Sequence, residues 1–144
     1  MHEENKAVSR RILEEVFTEG KMDAIDRWVA DDCVFHAPAD PDLPAGPAGC
    51  RQAVRKYRGA FPDQRMTIED QIAEGDRVAT RWTMHGTHRG PLDGIPPTGK
   101  RVEVSGINID RIVDGKIVEQ WSLWDVLGIL RQLGRMPPME EAAD

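Results

Sequence analysis

The chain has 144 residues, 40% hydrophobic and 31% charged, which is the size and composition of a soluble domain with one core. Its net charge of −6 offers no basic excess for a phosphate backbone, and no apolar run approaches the roughly 20 residues of a membrane helix. Nucleic acid and membrane are therefore not expected partners. The N-terminus MHEENKAVSRR has no signal-peptide core, so a cytoplasmic location is expected. Cys33 and Cys50 make no metal-binding or CxxC pattern and read as free thiols.

The first element is a helix, with Val8, Ile12, Leu13, Val16 and Phe17 at helical spacing and Gly20 as its stop. A second short helix is predicted from Met22 to Val29. "CVFHAP" reads as a short strand ended by proline, and residues 37–46, with Pro38, Pro41 and Pro44, as a loop. "GPAGCRQAVRKYRGAFPD" predicts a third helix. From residue 64 the pattern turns to strands. Two runs are joined by "EGD", and two more, after the loop "PLDGIPPTGK", are joined by Asp114-Gly115, a strong hairpin signal. "VLGILRQLG" predicts a last helix, and 135–144 a flexible tail. Helices followed by an antiparallel meander predict one α+β domain over 1–144, a curved sheet wrapped around helices as an open-ended cone.

A two-residue turn at Asp114-Gly115 sets the register of the last hairpin. Asn108 then faces Trp121, and Gly106, Asn108, Trp121, Leu123 and Asp125 share one face. If that face looks into the cone, Asp125 sits in an apolar wall, where desolvation would suit it to acid/base work. The alternative is that Asp125 caps the last helix. The same register sets Asp110 opposite Glu119, near the turn and exposed to solvent.

On the strand through 78–88, Arg81, Thr83, His85 and Thr87 share one face, and Val78, Thr80, Trp82, Met84 and His88 the other. His85 is a candidate proton-transfer group or a plain strand histidine, and His88 a rim residue. The loop that follows either borders a pocket mouth or is a long hairpin connection. His36 could reach a cavity rim or be structural. Arg81 could hold an anion or enolate, or pair with Asp70 or Glu103. Trp82, Trp121, Trp124 and Phe61 could line an aromatic pocket or fill the core. No GxGxxG, P-loop, GxSxG or HExxH occurs, and no metal site is expected.

The motifs "AFPD" (60–63), "EGDRVATRW" (74–82), "GTHRG" (86–90), "GIPPTGK" (94–100), "RIVDGKIVEQW" (111–121), Asp125 and "LRQLG" (130–134) together resemble the SnoaL-like polyketide and ester cyclases of the NTF2-like fold. The resemblance spans roughly residues 5–134. It implies an α+β barrel with an apolar pocket, often a homodimer through the outer sheet face, and intramolecular aldol chemistry without cofactor or metal. In that group an aspartate directly follows the tryptophan of the "GKIVE.W" strand, and a histidine stands fourteen residues before it. The matching residues here are Ser122 and Asn108, which the hairpin register places on opposite faces.

The resulting expectation is a cofactor-free cyclase or isomerase acting on a small apolar or aromatic carbonyl compound. Asp125, His85 and Asn108 would be catalytic. Trp121, Arg81, Trp82, His36, Phe61, Ser122 and Trp124 would bind substrate. The rival expectations are a non-catalytic ligand-binding module, or an epoxide hydrolase using Asp125, Arg81 and Asp110.

Overall fold

The computed structural model describes residues 1–135, so all but the first residue of the expected tail lies outside the described residues. Helix α1 spans His2–Arg11 and runs directly into a π-helical segment, Ile12–Thr18. Glutamates in its first turn and arginines in its last complement the helix dipole. The widened segment frees carbonyls that other side chains then satisfy. Arg58 donates to Phe17 O at 3.0 Å and Thr18 O at 2.7 Å, and Gln64 donates to Phe17 O at 2.8 Å. A 3-10 turn, Met22–Ala24, leads into α2, Ile25–Trp28.

Strand β1 is Val29–His36, longer at its start than the sequence pattern suggests. Helix α3 is Pro47–Ala60, with Pro47 at its first position, where no amide is needed. Strands β2 (Arg65–Glu74), β3 (Arg77–Thr87), β4 (Arg101–Val113) and β5 (Lys116–Trp124) follow, then α4 (Val126–Gln132). The sheet order is β1-β5-β4-β3-β2. The four later strands form the expected antiparallel meander, and β1 joins its far edge parallel to β5. The fold is thus a mixed α+β layout with a five-stranded, curved open sheet. Among the described residues the closed barrel implied by the resemblance is not formed, because β1 and β2 remain separate edges.

The helices cover the concave face. Val8, Ile12 and Val16 pack with Ile25, Cys33, Val54, Val78, Ile112 and Ile117. Leu13 packs with Phe61, Trp82, Met84, Val104 and Ile129 in a second cluster. Cys33 and Cys50 are free and buried, as expected. The loop after β3 is pinned to the end of α3, since Arg89 N and Gly90 N both donate to Ala60 O, at 3.0 and 3.1 Å. A side chain at Gly90 would overlap the Gly59 carbonyl, so only glycine permits this approach. His88 is correspondingly 0% exposed rather than at a rim, with its ring 5.7 Å from that of Phe61.

Candidate functional site

One extra residue in β5 decides which side chains meet. Asp114 (φ 51°) and Gly115 (φ 77°) are both left-handed, as a type I′ turn requires. The ladder begins in the expected register, Val113 with Lys116 and Ile112 with Ile117. Arg111 then pairs with Glu119, which leaves Val118 as a bulge. Beyond it every pair moves by one, and with a side-chain period of two every β5 residue changes face. Asn108 pairs with Ser122, Ile109 with Trp121, Asp110 with Gln120 and Gly106 with Trp124.

The concave face therefore carries Gln120, Ser122 and Trp124, while Trp121 and Leu123 turn outward. These side chains line a cavity closed by Leu13 and Phe17 of the π-helical segment, Tyr57 of α3, Phe61 and Ile129. Phe35, Met66, Trp82, Met84 and Val104 supply more of its wall from the sheet, and Asp40 and Leu43 line it from the loop after β1. The free space, counted to its open mouth, is about 750 Å³. The part of it that admits the centre of a water-sized sphere is about 90 Å³.

The polar groups of this wall are few and fixed. Asn108 is 7% exposed. Its Oδ1 accepts from Trp82 Nε1 at 3.2 Å and from Ser122 Oγ at 2.8 Å. An indole N–H can only donate, so the amide oxygen must face it, and Nδ2 is the end left for a ligand. Gly106 makes room for this indole, because a Cβ there would overlap the Trp82 ring.

At the mouth, Tyr57 Oη donates to Asp40 Oδ2 and Lys56 Nζ to Asp40 Oδ1, both at 2.5 Å. Lys56 also reaches Asp93 Oδ1 at 2.9 Å, which ties the β3–β4 loop to the same cluster. Burial, and then the hydrogen bond to Asp40, push the Tyr57 hydroxyl well above its ordinary range. Tyr57 also meets Trp124 edge-on, with ring centroids 5.7 Å apart. Among the described residues that line the cavity, Asp40 is the one carboxylate.

Of the candidates read from sequence, Asn108, Ser122, Trp82, Phe61 and Trp124 come together here. Five others do not. Asp125 is exposed and caps α4, with Gly128 N donating to its Oδ1 at 2.8 Å. Trp121 lies on the convex face because of the bulge and stacks on His36, with centroids 5.2 Å apart. His36 itself pairs with Glu119 at 2.7 Å, outside the cavity. Arg81 is exposed on the convex face and pairs with Asp70 at 3.2 Å. His85 lies on that same face, in a shallow polar depression with Asp63, Arg65 and Glu103. The alternation along β3 was read correctly, and it is the polar set that faces out. The hydrolase trio is also not assembled, since Arg81 and Asp125 lie outside and Asp110 is buried on the concave side.

Asp110 differs most from expectation. It is 2% exposed, and it accepts from Ser9 Oγ and Gln120 Nε2, each at 2.7 Å. Burial pushes its carboxyl up to about 6, although both hydrogen bonds pull it down. The sequence held a signal for this arrangement. The unbulged register opposes two carboxylates, Asp110 and Glu119, and shifting by one replaces that repulsion with an amide. Asp40 was missed because a proline-rich loop gives no periodicity from which a facing direction can be read.

The chain matches the SnoaL-like polyketide cyclase family over residues 7–133. It is 33% identical over 126 residues to the nogalonic acid methyl ester cyclase of Streptomyces nogalater, covering 87% of this chain and 94% of that one. It is 32% identical over 134 residues to the aklanonic acid methyl ester cyclase DnrD of Streptomyces peucetius, covering 91% and 92%. Among solved structures, TsrD from Streptomyces laurentii superposes with a TM-score of 0.83 at 30% identity, covering 94% of this chain and 98% of that one. IdmH from Streptomyces antibioticus gives 0.80 at 32%, covering 90% and 98%. With the matched residues running from the π-helical wall to the α4 contact that closes the cavity, the chain belongs to the SnoaL-like polyketide cyclases.

Proposed function

We propose that the chain closes a ring within a small, largely apolar carbonyl compound bound in this cavity, without a cofactor, and that Asp40 is the base. The observation that carries this reading is the placement of one carboxylate, among the described residues, in an apolar wall that also holds an oriented amide donor. Asp40 removes a proton from the carbon next to a carbonyl. The enolate oxygen accepts from Asn108 Nδ2, which needs no reorientation to donate. The enolate carbon attacks a second carbonyl of the same molecule, forming one carbon–carbon bond. Tyr57 Oη protonates the new alkoxide and recovers its proton from Asp40 through their hydrogen bond. The sum is an isomerisation, so nothing external is consumed.

The relatives named as ester cyclases support this class of substrate. The test is incubation with nogalonic and aklanonic acid methyl esters, looking for a product of unchanged mass by chromatography. Asp40→Asn is expected to lose about 100-fold or more in rate while keeping affinity. A second reading is favoured by Ser122 and Asn108 standing where the family pattern has aspartate and histidine: a binding module without turnover. Binding by the unaltered chain with no isomer formed, in either form, would establish that reading instead.

A homodimer through the convex sheet face belongs to the same proposal. Leu123 is 65% and Ile107 49% exposed, and the two are paired neighbours on β4 and β5. Sedimentation of the unaltered chain and of Leu123→Lys distinguishes dimer from monomer.

A further inference from the structure

The buried carboxylate of Asp110 has a consequence for what the cavity recognises. Asp110 and Gln120 are paired directly across β4 and β5, and Gln120 lines the cavity while Asp110 lies behind it. An ionised carboxylate only accepts hydrogen bonds. It therefore holds the Gln120 amide with Nε2 turned toward it, at 2.7 Å, and Oε1 turned away. Among the described residues nothing donates to that Oε1. The second Asp110 oxygen is occupied by Ser9 Oγ, so the carboxylate has no other partner to favour over Gln120.

Asn108 is fixed in the opposite sense. Trp82 and Ser122 hold its oxygen, and no described residue accepts from its Nδ2. Gln120 lies two residues before Ser122, the partner of Asn108, so the two amides are diagonal neighbours on one face. Such neighbours have β-carbons about 7–8 Å apart or less. The wall thus offers one donor and one acceptor a short distance apart, with apolar surface around them.

We propose that Gln120 is a specificity-determining acceptor positioned by Asp110, and that with Asn108 it selects ligands that carry both a carbonyl and a hydroxyl on an otherwise apolar frame. The proposal rests on reading the cavity as a ligand site and names its ligand more closely. Asn108 N–H takes the carbonyl, and Gln120 Oε1 takes the hydroxyl proton. A ligand with an ether in place of the hydroxyl leaves the Gln120 oxygen unpaired, and desolvating it then weakens binding.

The experiment measures binding of 2-hydroxyanthraquinone and 2-methoxyanthraquinone at pH 7 by quenching of tryptophan fluorescence. The unaltered chain is expected to prefer the hydroxy compound about tenfold. Gln120→Leu should bring the ratio near one. Asp110→Asn keeps Gln120 but can donate to its oxygen and let the amide turn, so the ratio should fall there too. A ratio between two ligands is unmoved by a general loss of stability. Equal binding by the unaltered chain, or an unchanged ratio in Gln120→Leu, would overturn the inference and leave the cavity reading standing. Binding of neither compound would overturn both.

Discussion

Ser122 Oγ and Asn108 Oδ1 are 2.8 Å apart on the concave face, and they meet only because Val118 is bulged out of the β4–β5 ladder. In the unbulged register Asn108 would face Trp121, and the cavity would exchange Gln120, Ser122 and Trp124 for Glu119, Trp121 and Leu123. One inserted residue thus sets the polarity of the site.

Deleting Val118 should act locally, because Arg111 already pairs with Glu119 and Asn108 with Ser122, and those pairs survive when the extra, half-buried residue is taken out. Trp124 then stays against Tyr57. Val118→Ala, which keeps the bulge, is expected to cost about 1 kcal/mol, as partly buried truncations do. The deletion, which also loses the local twist, is expected to cost about 1–3 kcal/mol and to keep the fold. Thermal melts by circular dichroism compare the two, and a deletion that fails to fold would sink the argument.

Gly106→Ala tests the seat of Trp82. The new methyl overlaps the indole, which is 7% exposed and held by Asn108, so it cannot swing away without breaking that bond. Overpacking of this kind costs about 1–3 kcal/mol. Urea unfolding measures it, and a shift in tryptophan emission in the folded state reports the displaced ring.

The buried Asp110 makes stability depend on pH. Its folded carboxyl stands at about 6, against about 3.9 for an unfolded aspartate. Between these values the folded chain holds a proton that the unfolded chain has lost. Stability from this group is complete below about pH 4 and is lost as pH rises to about 6. The neighbouring Cys33 and Cys50 do not share in this, since burial, chiefly, pushes both thiols up to about 12. Asp110→Asn has no titrating proton and can still hydrogen-bond both Gln120 and Ser9, so it should remove this slope. Its gain in stability over the unaltered chain should be small at pH 4 and on the order of 3 kcal/mol at pH 7. Urea midpoints of both forms at pH 4, 5, 6 and 7 give the difference, and a gain independent of pH would contradict the assignment.

Much of this fold was legible because its signals are local. Gly20, Asp114-Gly115 and the period-two run of β4 need no tertiary information, and they placed the first helix, the hairpin turn and the strand correctly. The alternation along β3 was equally clear, so Trp82 and Met84 were set opposite Arg81 and His85. What the sequence concealed lies where register or a loop decides direction. A bulge has no residue signature of its own at Val118, and face assignments failed from there to Asp125. The like-charge pairing of Asp110 with Glu119 was the only local protest. The family pattern held the same information in another form, because it required Asn108 and Ser122 to share a face. Asp40 depends on how a proline-rich loop folds back over α3, where its partners Lys56 and Tyr57 lie sixteen and seventeen residues away.

Asp125 supplies the clearest contrast with Asp40. Its side chain accepts from Gly128 N at the first turn of α4, and it is exposed to solvent. That is the geometry of a helix cap, for which removal costs about 1 kcal/mol. Helix α4 carries Ile129, which closes the cavity, so the cap supports the wall without touching a ligand. Asp125→Ala is therefore expected to lower the melting temperature by a few degrees and to leave turnover per folded molecule unchanged. Asp125→Asn should keep most of the cap and lose less stability, since asparagine also accepts from a helix amide. Asp40→Asn should show the reverse pattern, with turnover lost and the fold retained. Rates normalised to the folded fraction, measured side by side with the two methyl ester substrates, separate these roles. A rate collapse in Asp125→Asn with an unchanged melt would return the proton-transfer role to Asp125 and remove it from Asp40.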